Sequence, residues 1–155
     1  MTETPLQHFM GLALEMAKQD KNEVPVGALM VQGGTMIALR HNEVMHRQDP
    51  TAHAEMLVIR DTLRILGQMY LPDCTLYVTL EPCALCAAAC AAVRLKHVVF
   101  GAYDPKSGGL IHGARVLDHT HHKPLITGGV METESQTLLT GFFRKYRGDQ
   151  VTGDG

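Results

Sequence analysis

The chain has 155 residues, of which 45% are hydrophobic and 19% are charged, and its formal net charge is −2. This length is typical of one domain whose core is large enough to fold without disulfides or a structural metal. The composition excludes extended disorder, and the lack of a basic excess excludes binding to nucleic acid by bulk charge, so a nucleic-acid partner would have to meet a local patch.

The N-terminus predicts neither export nor a membrane span. Residues 1–20 lack a basic segment and space their apolar residues along one helical face, which is not the pattern of a signal peptide. The chain contains no run of about 18 apolar residues, so we expect no membrane partner. Four cysteines without a secretion signal favour thiolate chemistry in a reducing compartment, and we expect a cytoplasmic protein.

The first part of the chain predicts a helix followed by a β-hairpin. The sequence TPLQ combines an N-cap, a proline at the first helical position and a capping-box glutamine, and apolar residues then repeat at helical spacing. Residues 5–20 are therefore predicted to be helical. Gly33 and Gly34 can take the positive φ angles of a tight turn, so residues 26–32 and 35–40 are predicted to form antiparallel strands.

Two further helices each follow a proline. The sequence DPT precedes a stretch with helical spacing that ends at Gly67, and the motif TAHAE at residues 51–55 is predicted to lie in its first turn. Pro82 opens the other helix, and we expect Cys83 in the first turn of that helix.

The remaining elements complete an α/β domain. Short apolar stretches rich in β-branched residues predict strands at residues 75–80, 97–102 and 125–127, and helical spacing predicts a last helix at 133–147. Strands that alternate with helices after a hairpin predict a three-layer α/β/α fold with a five-stranded mixed central sheet.

A boundary is predicted close to the end of the chain. We expect a single domain over residues 1–147 and a flexible C-terminal tail over residues 148–155, where the sequence GDQVTGDG lacks apolar periodicity.

Two of the strand-to-helix junctions carry residues that bind metals. His53 lies at the tip of one helix, and Cys83 and Cys86 lie at the tip of the other. In an α/β sheet such tips gather outside the carboxyl ends of the strands. His53 and Glu55 are two residues apart and cannot share a helix face, but they can flank one object that lies beyond the helix end.

This arrangement predicts a catalytic zinc site. One imidazole and two thiolates supply three zinc ligands and leave the fourth tetrahedral position for water, and helix N-termini lower cysteine pKa values. Glu55 would stay off the metal, accept a proton from the zinc-bound water and donate it to the group under attack. Taken alone, the cysteines could be packing residues and His-x-Glu could be a capped surface turn, but their joint occurrence at two junctions favours the site.

Other metal-binding residue types are interpreted as structural. Cys90 follows Cys86 by one helical turn and would lie about 6 Å deeper, so we interpret Cys90 and Cys74 as packing residues. The histidine-rich stretch 112–122 has no ordered spacing, and we interpret it as a solvated loop.

The motifs PTAHAE and LYVTLEPCALC resemble the signature of the zinc-dependent cytidine deaminase superfamily, which implies a cytidine deaminase-like fold. Within that superfamily, EVPVGA, VVFGAYDPKSGG and the sequence FFR at 142–144 are similar to the bacterial tRNA-specific adenosine deaminases, over nearly the whole chain. The resemblance implies hydrolysis of the wobble adenosine in an arginine tRNA anticodon to inosine. Zinc-bound hydroxide would attack C6, Glu55 would carry protons to N1 and to the amine, and ammonia would leave.

The resemblance also implies roles for further residues. Asn42 would hold the target nucleoside, although the residues alone favour an ordinary turn asparagine. Around the substrate the resemblance places Ala54, Val26, Leu80, Asp104 and Lys106. Three basic residues on the last helix could meet the RNA backbone, although their place near a helix C-terminus, which is favourable without any ligand, slightly favours a purely structural interpretation: they are Arg144, Lys145 and Arg147. The resemblance further implies one zinc ion in each subunit of a homodimer that contacts a tRNA anticodon stem-loop.

Two other functions stay open at this point. The same zinc chemistry could act on a free base or nucleoside of the guanine or cytosine type, which the weak basicity of the chain favours. A zinc-stabilised binding module without catalysis is the third possibility, and the presence of Glu55 argues against it.

Overall fold

A five-stranded mixed sheet lies at the centre of the computed structural model, which describes residues 2–154 and the side chains of residues 2–146. The strands are β1 (Gly27–Gln32), β2 (Thr35–His41), β3 (Cys74–Leu80), β4 (His97–Ala102) and β5 (Leu125–Thr127), and their order in the sheet is β2-β1-β3-β4-β5. β1 is antiparallel to β2 and to β3, whereas β3, β4 and β5 are parallel. The predicted mixed sheet is confirmed.

Five helices and one short 3-10 helix connect or flank the strands in the described part of the chain. They are α1 (Pro5–Ala17), α2 (Val44–Arg47), α3 (Ala54–Leu66), α4 (Ala84–Ala92), the 3-10 helix Val116–His119 and α5 (Glu132–Asp154). None of the helices in residues 2–154 is both long and apolar enough to cross a membrane.

Several helices differ from the predictions. α1 ends at Ala17 and not at residue 20. The short helix α2 was not predicted, because four residues are too few to show a helical period. α5 continues past the predicted end at residue 147. The side chains of residues 147–155 lie outside the described residues, so the division between a domain and a tail stays a prediction.

The first helix illustrates how local sequence sets an element and its packing. The hydroxyl of Thr4 accepts a hydrogen bond from the backbone N–H of Gln7 at 3.1 Å, and the amide of Gln7 accepts one from the Thr4 N–H at 3.1 Å, which is the predicted capping box. At Gly27, a Cβ atom would lie 1.9 Å from the carbonyl oxygen of Ala13. Only glycine therefore lets α1 lie directly on the start of β1.

The core occupies both faces of the sheet, which makes the fold three-layered. On one face, Met10 and Leu14 of α1 pack against Leu29, Tyr77 and Val99. The neighbouring residues of the same strands point to the opposite face, where α3 and α4 cover Ala28, Met30, Leu76, Val78 and Val98. The alternation follows the two-residue period of a strand.

The edge of the sheet at the carboxyl ends of β3 and β4 gathers several chain segments. The backbone N–H of Glu81, just after β3, donates to the carbonyl of Ala102 at 2.8 Å. The N–H of Asn42, just after β2, donates to the carbonyl of Val26, just before β1, at 3.1 Å. Because β1 is antiparallel to its neighbours, its beginning and the end of β2 meet the ends of β3 and β4 at this edge.

Candidate active site

Three metal-binding side chains converge at this edge. His53 is the N-cap of α3, Cys83 is the N-cap of α4, and Cys86 lies in the first turn of α4. The Nδ1 atom of His53 lies 3.3 Å from the sulfur of Cys86 and 3.5 Å from the sulfur of Cys83. His53 and Cys83 thus precede their helices by one residue, where the prediction had placed them in the first turn.

These three ligand atoms fit a zinc ion. They all lie within 4.8 Å of one another. A tetrahedral ion with ordinary Zn–N and Zn–S bonds separates a nitrogen ligand from a sulfur ligand by about 3.6 Å and two sulfurs by about 3.8 Å. Soft thiolates together with an imidazole are a donor set that suits zinc. Three protein ligands leave one tetrahedral position for a further ligand.

Even without a metal, the protein shifts the pKa values of the two cysteines in opposite directions. The pKa of Cys83 falls to about 4, first because the Cys86 thiol donates a hydrogen bond to its sulfur and second because His53 does the same, and these effects outweigh burial. The same hydrogen bond raises the pKa of the Cys86 thiol, and burial adds to this. The hydrogen bond with Cys83 raises the pKa of His53. A divalent cation held by all three atoms would therefore meet one thiolate directly and would displace the thiol proton of Cys86 and the proton on Nδ1 of His53.

Glu55 is a buried carboxyl group beside these ligands. The residue lies in the first turn of α3 and is only 4% exposed. Burial raises the pKa of Glu55 to about 7, against a smaller opposing effect of His53. A carboxyl group with a pKa near neutrality can both accept and donate a proton under physiological conditions, which is the requirement for a general acid and base. The structure places Glu55 beside the cluster but outside the set of three ligands.

A cavity of about 300 Å³ opens above this cluster. Its walls include the predicted site residues His53, Glu55, Cys83, Val26, Asn42, Leu80 and Asp104. The side-chain oxygen of Asn42 accepts a hydrogen bond from the backbone N–H of Ala54 at 2.8 Å. Since a backbone N–H can only donate, the atom it meets is the amide oxygen, and the NH₂ group of Asn42 is left to donate elsewhere. Ala54 is fully buried behind the cavity.

A second, larger cavity of about 750 Å³ adjoins the first, and both are lined by Val24, Leu80, Asp104 and Ser107. The larger cavity also contacts Lys106 and five residues of α5: Glu132, Gln136, Leu139, Thr140 and Phe143. Asp104 thus borders both cavities, whereas Lys106 borders only the larger one.

The predicted basic residues of the last helix lie apart from the metal cluster. Arg144 borders a polar groove on α5 and Lys145 is exposed, and neither lines the cavities that contain Asp104. The side chain of Arg147 lies outside the described residues. Cys90 and Cys74 are both fully buried, which confirms the prediction that they are packing residues.

Two buried carboxylates at the site were missed by the sequence analysis. Glu81 accepts hydrogen bonds from four backbone N–H groups and from the ring of His112. Burial alone would raise the pKa of Glu81, but these hydrogen bonds, with that of His112 first, hold it below its usual value. Glu23 accepts hydrogen bonds from the N–H groups of Met45 at 3.0 Å and His46 at 2.7 Å. The sequence does contain a signal for these two buried acids, because each of them stands beside an apolar stretch and a proline.

The histidine-rich stretch is more ordered than predicted. The ring of His122 contacts the carbonyl of Leu95 at 2.6 Å, and His112 contacts Glu81. The prediction of a solvated loop is wrong for these two residues, because each has a fixed partner in the fold. Among the residues with described side chains, the histidines of this stretch do not form a group that could hold a metal.

Comparisons with known proteins agree with this site. The family described as the cytidine and deoxycytidylate deaminase zinc-binding region matches residues 3–102. A protein of Agrobacterium fabrum named tRNA-specific adenosine deaminase is 44% identical over 146 residues, which cover 92% of this chain and 96% of the relative. A structure from studies of A-to-I editing by tRNA:A34 deaminases at the wobble position of transfer RNA superposes with a TM-score of 0.83 at 44% identity, covering 85% of this chain and 99% of the other. A guanine deaminase from Bacillus subtilis has a TM-score of 0.61 at 37% identity, with 66% of each chain covered.

Proposed function

The chain belongs to the cytidine and deoxycytidylate deaminase family, and from this premise we propose that it converts the wobble adenosine in the anticodon of an arginine tRNA to inosine. Family membership accounts for the zinc ligands and the deamination chemistry. The choice of a tRNA is supported by the Agrobacterium fabrum relative and by the similar structure from work on tRNA:A34 deaminases.

The observation that carries the proposal is the pair of adjoining cavities. The small cavity over the metal ligands lies at the lower end of the size range for small-molecule sites and suits one base. A free base as substrate would need only this small cavity. The larger cavity of about 750 Å³ extends from it past Asp104, Lys106 and Phe143, and it offers room and polar groups for the neighbouring nucleotides of a flipped-out base.

Glu55 is proposed to move the protons of the reaction. Zinc bound by His53, Cys83 and Cys86 would supply a Lewis acid that makes water a nucleophile at neutral pH. Glu55 accepts a proton as water adds to C6 of the base and passes that proton to N1. The second proton of the added water goes through the same carboxylate to the amine, which leaves as ammonia while inosine forms. Burial, which raises the pKa of Glu55 to about 7 in the metal-free protein, favours a carboxyl group that can both accept and donate a proton.

The other pocket residues are proposed to orient the nucleoside. The NH₂ group of Asn42 can donate a hydrogen bond to an acceptor on the nucleoside, because its oxygen is occupied by the N–H of Ala54. Val26 and Leu80 provide apolar walls against which a base can pack.

The RNA surface is proposed to combine one loop with the last helix. Asp104 and Lys106 are placed to contact the nucleotides beside the flipped base, since both border the larger cavity. Arg144 and Lys145 are placed on α5, where a phosphate backbone could reach them. One zinc ion per subunit, a homodimer and a cytoplasmic location with access to tRNA complete the proposal.

A second candidate function is deamination of a free base. The similarity to the Bacillus subtilis guanine deaminase and the net charge of −2 favour it. In this case the larger cavity would have no role in catalysis.

One assay separates the two. The zinc-loaded protein is incubated with an arginine anticodon stem-loop that carries A at the wobble position and, in parallel, with free adenosine, cytidine and guanine, and deaminated product is quantified by mass spectrometry. We expect inosine from the stem-loop alone. Product from a free base or nucleoside alone would overturn the tRNA substrate and leave the deaminase chemistry intact.

A further inference from the structure

A single buried carboxylate holds both ends of the segment 104–112. One oxygen of Glu81, Oε1, accepts the backbone N–H of Asp104 at 3.0 Å, where the segment begins. The other oxygen, Oε2, accepts the N–H groups of Leu110 at 3.3 Å, Ile111 at 2.9 Å and His112 at 2.9 Å, where the segment ends. The segment is therefore a loop closed on one side chain.

The ring of His112 completes the ligand shell of this carboxylate. Its Nδ1–H donates to Oε1 of Glu81 at 2.9 Å. The side chain of Glu81 is fully buried, whereas that of His112 is 35% exposed. A fully buried carboxylate requires hydrogen bonds to compensate for its lost hydration, and these five donors supply them. The backbone of the segment is thus necessary to keep Glu81 buried, and Glu81 keeps the segment in place.

The glycines of the segment allow this close approach. A Cβ atom on Gly108 would lie 2.5 Å from Oε2 of Glu81, and one on Gly109 would lie 2.5 Å from the nitrogen of Ala84. The N–H of Gly109 donates to the carbonyl of Pro82 at 2.8 Å. The segment therefore lies directly on the turn that carries the metal ligand Cys83.

Glu81 does not meet the substrate itself. Although the residue borders the small cavity, its side chain has no exposed surface, because the segment covers the carboxylate. What faces the larger cavity is the outer side of the segment, namely residues 104–107. The carboxylate oxygen of Asp104 in turn accepts the N–H groups of Lys106 at 3.3 Å and Ser107 at 3.0 Å, so the position of Asp104 sets that of its neighbours.

We propose that Glu81 is a positioning residue that locks the segment 104–112 to the Cys83 turn and so aligns the wall that contacts the nucleotides beside the reacting base. This inference rests on the proposed tRNA substrate. In this proposal the carboxylate of Glu81 connects the turn that carries the metal ligands to the RNA-binding wall, which is the side of the segment 104–112 that faces the larger cavity. His112 supports the link through its ring N–H.

The experiment compares E81Q with the wild type as zinc-loaded proteins. Glutamine keeps the size of the side chain but offers one acceptor oxygen, and its NH₂ group would face N–H donors. We expect hydrogen–deuterium exchange in residues 104–112 to accelerate about tenfold or more, and KM for the anticodon stem-loop to rise about tenfold, with kcat within about threefold of the wild type and zinc retained. Unchanged exchange would overturn the proposal. Loss of zinc or of kcat with an unchanged KM would also overturn it, because Glu81 would then support the metal ligands and not the RNA-binding wall.

Two further pairs of variants test the link without changing Glu81. H112A removes the ring donor and H112N restores an N–H at a similar position, so we expect a raised KM in H112A and a recovery in H112N. G108A forces a Cβ against Oε2, whereas G11A on α1 meets no atom within 4 Å and serves as its control. A KM in H112A and G108A equal to that of the wild type would overturn the proposal even if E81Q fails to fold. A wild-type protein that leaves the stem-loop unchanged would overturn the proposed function, and the exchange data alone would then decide whether Glu81 holds the segment.

Discussion

The side-chain oxygen of Asn42 and the backbone N–H of Ala54 form a 2.8 Å hydrogen bond that joins the end of β2 to the first residue of α3. This contact acts as an external cap, because His53, the N-cap of α3, makes no side-chain capping bond. Asn42 therefore supports the start of the helix with one atom of its amide and leaves the other atom for a ligand.

Two substitutions separate these roles of Asn42. N42D keeps an acceptor for the Ala54 N–H and loses the NH₂ donor, whereas N42A loses both. We expect both variants to lose about tenfold or more in kcat/KM, and only N42A to be destabilised, by about 1 kcal/mol. Steady-state kinetics and denaturant unfolding measure the two effects. Wild-type kinetics in N42D would contradict a substrate role for the NH₂ group.

The substitution E55Q tests the proton carrier. Glutamine preserves the shape of this buried side chain and cannot accept a proton, so we expect turnover to fall by about 100-fold or more with the zinc content and the melting temperature retained. Product formation, metal analysis and thermal unfolding are measured on one preparation. E15Q, an exposed glutamate on α1, is the control and should behave as the wild type. Undiminished turnover in E55Q would refute the assignment of Glu55 as the proton carrier.

The two cysteines of α4 provide a matched test of the metal site. C86A removes a ligand atom, whereas C90A removes a buried sulfur one turn further along the same helix. We expect C86A to lose zinc and activity and C90A to keep both, with a loss of stability of about 1 kcal/mol in C90A. Chelation of the wild type should abolish activity and preserve the circular dichroism spectrum, since a core of this size does not depend on the metal. Equal zinc loss in both variants would contradict the ligand assignment.

Lys106 is predicted to contribute to RNA affinity through its charge. We expect K106A to weaken binding of the stem-loop and to reduce the slope of log Kd against log salt concentration by about 0.7, the value for one phosphate contact on a single strand. The control is K96A, which removes an exposed lysine just before β4, at the opposite edge of the sheet from the site. Binding is measured by fluorescence anisotropy at several salt concentrations. Equal slopes for both variants would exclude a specific contact of Lys106.

The ion pair between Arg40 and Asp61 predicts a pH dependence of stability. Arg40 donates to both carboxylate oxygens of Asp61, at 2.7 and 3.3 Å. Burial alone would raise the pKa of Asp61, but the bonds from Arg40 hold it below the ordinary value of 3.8. The stabilisation is therefore present above about pH 4 and is lost as the pH falls through the lowered pKa of the folded state.

The substitution D61N measures this contribution. At pH 7 we expect a destabilisation of about 1 kcal/mol, which shrinks as the pH is lowered, because the protonated Asp61 of the wild type resembles asparagine. Zinc release in acid affects the wild type and D61N alike, so it cancels in the difference between their free energies of unfolding. The control is D118N, which removes an exposed ion pair with Arg115 and should lower the free energy of unfolding only slightly at any pH. A pH-independent difference for D61N would show that Asp61 is not stabilised as the carboxylate.

Much of the fold was predictable because its signals are local. The glycine turn placed both strands of the hairpin, and apolar runs placed the strands at 75–80, 97–102 and 125–127. His53, Glu55, Cys83 and Cys86 were found for the same reason, since each stands within a few residues of a helix start that a proline or cap residue marks. The helix α2 was missed because it is too short to show a helical period and because its N–H groups are capped by Glu23, which lies outside the helix in the sequence.

Most of the elements and the chemistry of the metal ligands followed from local sequence, because helix periodicity, caps and ligand types act over a few neighbouring residues. Which distant groups meet depended on the tertiary fold. Glu81 was unremarked in the sequence and His112 was predicted to be solvated, yet the fold joins them at 2.9 Å. The pKa of Glu55 near 7 likewise depends on burial beneath segments from elsewhere in the chain. Desolvation and hydrogen bonds between remote residues are properties of packing, and no spacing in the sequence encodes them.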